Sequence, residues 1–314
     1  MFREVVTVCL NPSLDVTVWI DSLDFEEPCF AQKEEIYPGG KGINVSRMLT
    51  GLGFSNRSLC VAGEENLSML RGKLMQESVC AEYLPVKGAA IRENLTLIVG
   101  NQRQLKVNRK GPALGRELLE QVRSRLLELC DEATLVVFAG SLPPGVTAED
   151  YEDLIREISS RGIPTAVDTG VFSKEDYQRI RPFVMKPNRV ELEQIMGVSL
   201  PSLEAVKDAA QELSQWVNHV LVSLGGDGVL YAGEGTCLKT AAPKVSVRST
   251  VGAGDATLSG FLYGLGMGWS QKEAVRFATA CGTASVCCDG TCYPAREAID
   301  QMAKQIICQE NPTE

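Results

Sequence analysis

Gly252-Ala253-Gly254-Asp255 sets two glycines and a carboxylate against the start of a long apolar stretch. Two kinds of chemistry fit. Asp is a good helix N-cap, and an acid near a helix N-terminus gains about 0.3–1 kcal/mol from the backbone dipole. Glycines, lacking Cβ, also let the backbone approach a ligand, and the free N–H groups of a first turn form an anion site. A carboxylate beside bound phosphate could then take the proton of an attacking hydroxyl. Taken alone, the stretch allows both readings.

Three more glycine-containing turns accompany it: Pro38-Gly39-Gly40-Lys41-Gly42, the run from Ala139 to Gly145 (AGSLPPG), and Ser223-Leu224-Gly225-Gly226-Asp227-Gly228. No G-x-x-x-x-G-K-[ST] pattern occurs, and no G-x-G-x-x-G follows the first apolar run, which disfavours a dinucleotide oxidoreductase. His219, the only histidine, argues against a Ser-His-Asp or Cys-His enzyme, because its apolar neighbours predict a strand entry. The eleven cysteines are scattered, with only Cys287, Cys288 and Cys292 close together. They lack the paired spacing of a zinc site and read as buried thiols in a reducing compartment. A net charge of −9 without a basic stripe argues against nucleic acid. An anionic ligand would need local donors working against that field.

The elements that must position these turns alternate. Short apolar runs at 5–10, 134–139, 165–167, 183–185 and 220–223 predict buried parallel strands. Amphipathic stretches at 41–52, 66–78, 115–130, 148–160, 188–196, 202–215, 252–267, 271–287 and 294–306 predict helices. The alternation implies a doubly wound, mostly parallel α/β sheet with helices on both faces. In such sheets ligands bind beyond the carboxyl ends of the strands, so the four turns are candidates for one shared site. Segments 12–36 and 89–108 lack helical period; the second reads as a hairpin turning at Gly100-Asn101. Together they predict a small β-sheet lid on a single domain spanning 1–314. No apolar run approaches 18 residues, and the first residues carry Arg3 and Glu4 without a long apolar core, so neither a membrane span nor a signal peptide is expected and the setting reads as cytoplasmic.

The ordered motifs LNPSLD (10–15), PGGKGINVSRML (38–49), GSLPPG (140–145), KPNRVELE (186–193), VSLGGDG (222–228) and STVGAGD (249–255) resemble the PfkB, or ribokinase-like, family of carbohydrate kinases nearly end to end. LNPxxD with GGKGxNV resembles its sugar-phosphate branch: 1-phosphofructokinase, tagatose-6-phosphate kinase and the minor 6-phosphofructokinase. The resemblance implies ATP and Mg²⁺. It makes Asp255 the catalytic base and gives Gly252, Ala253 and Gly254 the anion hole. Asp15, Gly39, Gly40, Lys41, Asn44, Arg92 and Ser141 become substrate-binding positions. Lys186, Asn188, Ser223, Gly225, Gly228, Thr250 and Gly254 fall to the nucleotide, and Asn188 with Glu191 to the metal, through water or phosphate.

Bland alternatives stand beside these roles. Asp15 could be a turn residue, Lys41 a solvated lysine at a helix start, and Asn188 with Glu191 an ordinary helix opening. One departure from the branch is visible. Where relatives often carry V-N-R before the glycines, this chain has Pro28-Cys29-Phe30, leaving Lys33, Lys106, Arg109 or Lys110 to compensate. The expected reaction is phosphoryl transfer from ATP to a ketohexose phosphate, fructose 1-phosphate first and tagatose 6-phosphate second. Within enzymes the runner-up is a kinase for an unphosphorylated sugar or nucleoside; outside them, an inactive sugar or nucleotide sensor. Lid edges that could pair across a two-fold axis fit a homodimer.

Overall fold

The computed structural model describes residues 2–100, 103–288, 290 and 292–310. The chain opens with β1 (Glu4–Cys9), β2 (Ser13–Ile20), β3 (Lys33–Gly39), α1 (Lys41–Gly51), β4 (Asn56–Gly63) and α2 (Leu67–Gln76). It continues with β5 (Ala81–Val86), β6 (Arg92–Val99), β7 (Arg103–Val107), α3 (Arg116–Leu129), β8 (Thr134–Ala139) and α4 (Ala148–Ser160). Next come β9 (Thr165–Asp168), α5 (Lys174–Ile180), β10 (Val184–Met185), α6 (Arg189–Met196), α7 (Leu203–Leu213) and β11 (His219–Ser223). The last elements are β12 (Val229–Gly233), β13 (Thr236–Thr240), α8 (Ala253–Gly266), α9 (Gln271–Ser285), α10 (Arg296–Gln305) and β14 (Cys308–Glu310).

Among the described residues the strands form two sheets. The larger runs β14-β13-β12-β11-β10-β9-β8-β1-β4-β5, parallel from β11 to β5 and antiparallel from β11 to β14. Its central strands are apolar on both faces because both faces are covered. Val6, Val8, Val136 and Phe138 face a core shared with α3 to α7. Val5, Leu135 and Val137 face the core of α1, α8, α9 and α10. Helix α8 is sandwiched: a Cβ on Gly260 would lie 2.7 Å from Cys281 Sγ on α9, so these two helices pack at glycine distance. That packing fixes where the N-terminus of α8 points.

The smaller sheet, β3-β2-β6-β7, gathers both segments expected to be extended. In its hairpin Val99 pairs with Arg103; Asn101, placed at the turn by the sequence, lies outside the described residues. The α/β class, the five core strands and the nine helices expected are all present. Strands β4, β5, β12, β13 and β14 and helix α5 were not anticipated. β5 carries Pro85 and survives as a sheet edge, where a missing N–H is tolerated. Seven-residue α5 is too short for a periodic signal and is fixed by the Ser173–Asp176 capping box.

Of the eleven cysteines only Cys9, Cys60, Cys237 and Cys281 are buried, which narrows the expectation of buried thiols. Among the described residues no helix is long and apolar enough to cross a membrane.

Candidate active site

Parallel strands deliver their carboxyl ends to one edge of the large sheet, and a cavity of about 490 Å³ opens there. Cys9 at the end of β1, Ala139 ending β8 with Gly140 after it, Lys186 after β10 and Ser223 ending β11 line it from below. The small sheet supplies Ser13, Asp15, Arg92 and Asn94 from the other side. Two helix N-termini point in, bringing Gly40, Lys41 and Asn44 from α1 and Gly252, Gly254 and Asp255 from α8. The positive ends of two helix dipoles favour an anion here.

Helix α8 begins at Gly252, whose φ of 80° is a left-handed conformation suited to glycine. No side chain caps this helix, so Asp255 is not the N-cap that one reading allowed. Its Oδ2 instead accepts a hydrogen bond of 2.8 Å from Asn44 Nδ2 on α1. Burial, then the nearby negative charge of Asp168, pushes its pKa up to about 6, against the pull of Lys41, Asn44 and Lys186. The carboxylate is therefore mostly ionised at neutral pH yet holds a proton more readily than an ordinary Asp, as a base should.

Asp168, the last residue of β9, was missed by the sequence reading, which ended that strand at Val167. It is buried beneath two lysines: Lys41 Nζ lies 2.8 Å from Oδ1 and Lys186 Nζ 3.4 Å from Oδ2. Burial disfavours the charge, but the lysines more than offset it and hold the Asp168 carboxyl below its ordinary value. Lys41 also approaches Glu191 at 3.7 Å. Burial opposes its charge too, yet Asp168, Asp255 and Glu191 together raise its pKa. A lysine at the start of α1 opposes the helix dipole; its reason is Asp168.

Asp15 is held on two sides. Its Oδ1 accepts from Ser13 Oγ at 2.8 Å and from Asn94 Nδ2 at 2.9 Å, the latter from its parallel neighbour on β6. A Cβ on Gly39 would lie 2.3 Å from Asp15 Oδ2, so glycine there makes room for the carboxylate. Arg92 donates from Nη2 to Asn11 O at 3.0 Å, from Nε to Pro12 O at 3.4 Å and from Nη1 to Arg109 O at 3.3 Å. Three of its five N–H groups are thus engaged with backbone. Ser141 Oγ accepts from Asn11 Nδ2 at 3.1 Å. Phe30 is 80% exposed, and neither it nor Lys33, Lys106, Arg109 or Lys110 lines the cavity.

Asn188 and Glu191 open α6 as a reciprocal capping box: Asn188 Oδ1 accepts from Glu191 N at 2.9 Å, and Glu191 Oε2 from Asn188 N at 2.8 Å. The bland reading of this pair is thus realised, although both residues also line the cavity and Glu191 Oε1 faces Lys41. Gly225 and Gly228 lie in the short turn after Ser223, outside the lining; a Cβ on Gly228 would lie 2.0 Å from Thr240 O. Thr250 and Ala253 flank Gly252 and are likewise outside it.

Residues 13–298 match the family described as pfkB family carbohydrate kinase. The chain belongs to the pfkB family of carbohydrate kinases. This pfkB-family chain is 28% identical over 307 residues to 1-phosphofructokinase of Borreliella burgdorferi, covering 97% of each chain. With 1-phosphofructokinase of Bacillus subtilis it shares 30% over 286 residues, covering 90% of this chain and 92% of that one. Among solved structures, phosphofructokinase-2 from Escherichia coli in complex with substrates and products superposes with a TM-score of 0.89 at 30% identity, covering 96% of this chain and 98% of that one.

In this pfkB-family kinase the expected positions Asp15, Gly40, Lys41, Asn44, Arg92, Ser141, Gly252, Gly254 and Asp255 line the cavity, as do Lys186, Asn188, Glu191 and Ser223, while Gly39 lies just behind Asp15. Sequence reasoning missed Ser13, Asn94, Asn108 and Asp168. Asp168 had a usable signal, since TAVD ends in a carboxylate at the mouth of a parallel strand. Asn94 had none: only the β2–β6 register brings it to Asp15.

Proposed function

We propose that the protein transfers the γ-phosphate of ATP to a hydroxyl of a ketohexose phosphate, with fructose 1-phosphate as the first substrate and fructose 1,6-bisphosphate as product. The observation that carries this reading is a buried Asp255, its pKa pushed up to about 6, beside the uncapped N-terminus of α8 in a cavity shared with Asp15. The acceptor oxygen forms a bond to the γ-phosphorus as the bond to the β,γ-bridging oxygen breaks and ADP leaves. Asp255 receives the hydroxyl proton. First-turn amides from Gly252 to Gly254 face the charge that gathers on the transferring group. Asp15, steadied by Ser13 and Asn94, accepts from sugar hydroxyls, and the free N–H groups of Arg92 face the substrate phosphate.

The residues present suit Mg²⁺. Among the described residues no cluster of three or more His, Cys, Asp or Glu could cage a metal, and Mg²⁺ needs none, since it keeps waters and takes ATP phosphates as ligands. Glu191 Oε1 would hold it through water, and the ion would neutralise phosphate charge. The choice of fructose 1-phosphate rests on the names of the relatives; tagatose-6-phosphate kinase of Staphylococcus epidermidis, 27% identical over 306 residues, supports tagatose 6-phosphate as the second substrate. Exposed Leu105 and Val107 on edge strand β7 support pairing of two copies through the small sheet.

The test is ADP release with fructose 1-phosphate, tagatose 6-phosphate, fructose 6-phosphate and the free sugars. Preference for fructose 1-phosphate is expected. Turnover confined to free sugars, or none with any acceptor, would overturn the proposal.

A further inference from the structure

Asp255 is surrounded by more charge than a general base can ignore. Lys41 from α1 and Lys186 after β10 face it, with Asp168 of β9, while Tyr293 and Glu191 stand one step further out. Either ammonium could lock the base into an ion pair, and an Asp so paired would lose its basicity. Neither does. Both lysines bridge to Asp168, and neither makes an ion pair with Asp255.

The placement of the lysines makes this arrangement telling. Lys41 opens α1, and Lys186 Nζ would lie 3.0 Å from a Cβ on Gly254, over the first turn of α8. Both cations sit where a helix dipole repels them, so each needs a fixed anion. Asp168 is 2% exposed, at the end of a central strand, and cannot move away. The more mobile partner, Lys41, is about one-third exposed on its side chain, facing the cavity.

We propose that Asp168 is a positioning residue that holds Lys41 and Lys186 off the catalytic carboxylate, keeping Asp255 free as a base and both ammonium groups aimed at the cavity for phosphate. This deepens the proposed kinase reading and rests on it. Two consequences follow. The like charge of Asp168 raises the proton affinity of Asp255, and removing it releases two cations to the base. Both act in the same direction.

The experiment follows the titration of Asp255 by carbon NMR of aspartate labelled at the carboxyl carbon, the signal assigned by its absence in Asp255→Asn. It needs no substrate and no turnover. In Asp168→Asn the midpoint is expected to fall by about one pH unit or more, the scale of losing a nearby like charge. The acid limb of kcat/KM should move down with it, and kcat should drop about tenfold or more as the base weakens. A midpoint that stays or rises overturns the inference. If Asp168→Asn does not fold, Lys186→Met asks the question with the opposite sign, because Asp168 then loses one of its two counter-ions and the base one of its nearby cations; its midpoint must rise, and one that does not overturns the inference equally. Failure of the wild-type enzyme to phosphorylate any sugar would instead strike the proposed function and leave the titration result standing.

Discussion

Asn44 Nδ2 donates to Asp255 Oδ2 over 2.8 Å, joining the first turns of two helices whose residues lie 211 positions apart in the chain. The bond orients the carboxylate at the cavity and favours its ionised form. It also stitches the starts of α1 and α8 together at the cavity.

Replacing Asp255 with Asn keeps the shape and lets Asn44 donate to the new amide oxygen. Substrate binding should survive while kcat falls about 10²–10⁴-fold, the range for losing a general base. Steady-state turnover within a few-fold of wild type would remove Asp255 from the chemistry.

The pH profile should carry the same group. With the pKa of Asp255 up at about 6, kcat/KM should decline below that pH as the base becomes protonated. Stability runs the other way. A carboxyl whose folded-state pKa is raised costs stability once ionised, so that cost is absent at low pH and appears as pH rises through the window between about 4 and 6. Asp255→Asn should therefore be more stable than wild type at pH 8, by about 3 kcal/mol at most, and should lose that advantage by about pH 3, below the unfolded-state value. Thermal melts at the two pH values check this; an equal difference at both would contradict the shift.

Asn94→Ala should loosen Asp15 without touching the reacting atoms. Losing a hydrogen bond to a charged group is worth about 1.5–3 kcal/mol, so KM for the sugar should rise roughly tenfold or more. KM for ATP should hold. A parallel rise in both constants would point to a general disturbance of the small sheet instead.

Arg92→Ala should weaken a phosphorylated sugar roughly 10- to 100-fold relative to ATP, the scale of a lost charged hydrogen bond. Three of its N–H groups already serve carbonyls of Asn11, Pro12 and Arg109, so the melting temperature should fall too. Comparing KM for fructose 1-phosphate with KM for free fructose separates the two effects. An equal change for both sugars would leave Arg92 a purely structural strut.

The sequence by itself determined the α/β class and singled out most of the residues that line the cavity. The short apolar run 134–139, bounded by turn residues, reads as a strand covered on both sides and is one, and Gly252-Ala253-Gly254-Asp255 carries its own geometry within one helical turn. Local patterns of this kind are written by backbone sterics and burial, which act over a few residues. Tertiary structure decided the rest. Whether Asp255 capped its helix or served the cavity was settled by Asn44, and the awkward cation at Lys41 found its reason in Asp168, 127 residues away. Asn94 reached Asp15 through a strand register, and Phe30 proved to lie outside the cavity. Charges and hydrogen bonds act over a few ångströms whatever the separation along the chain, so which groups meet, and what proton affinity results, exists only once the strands have brought their ends together.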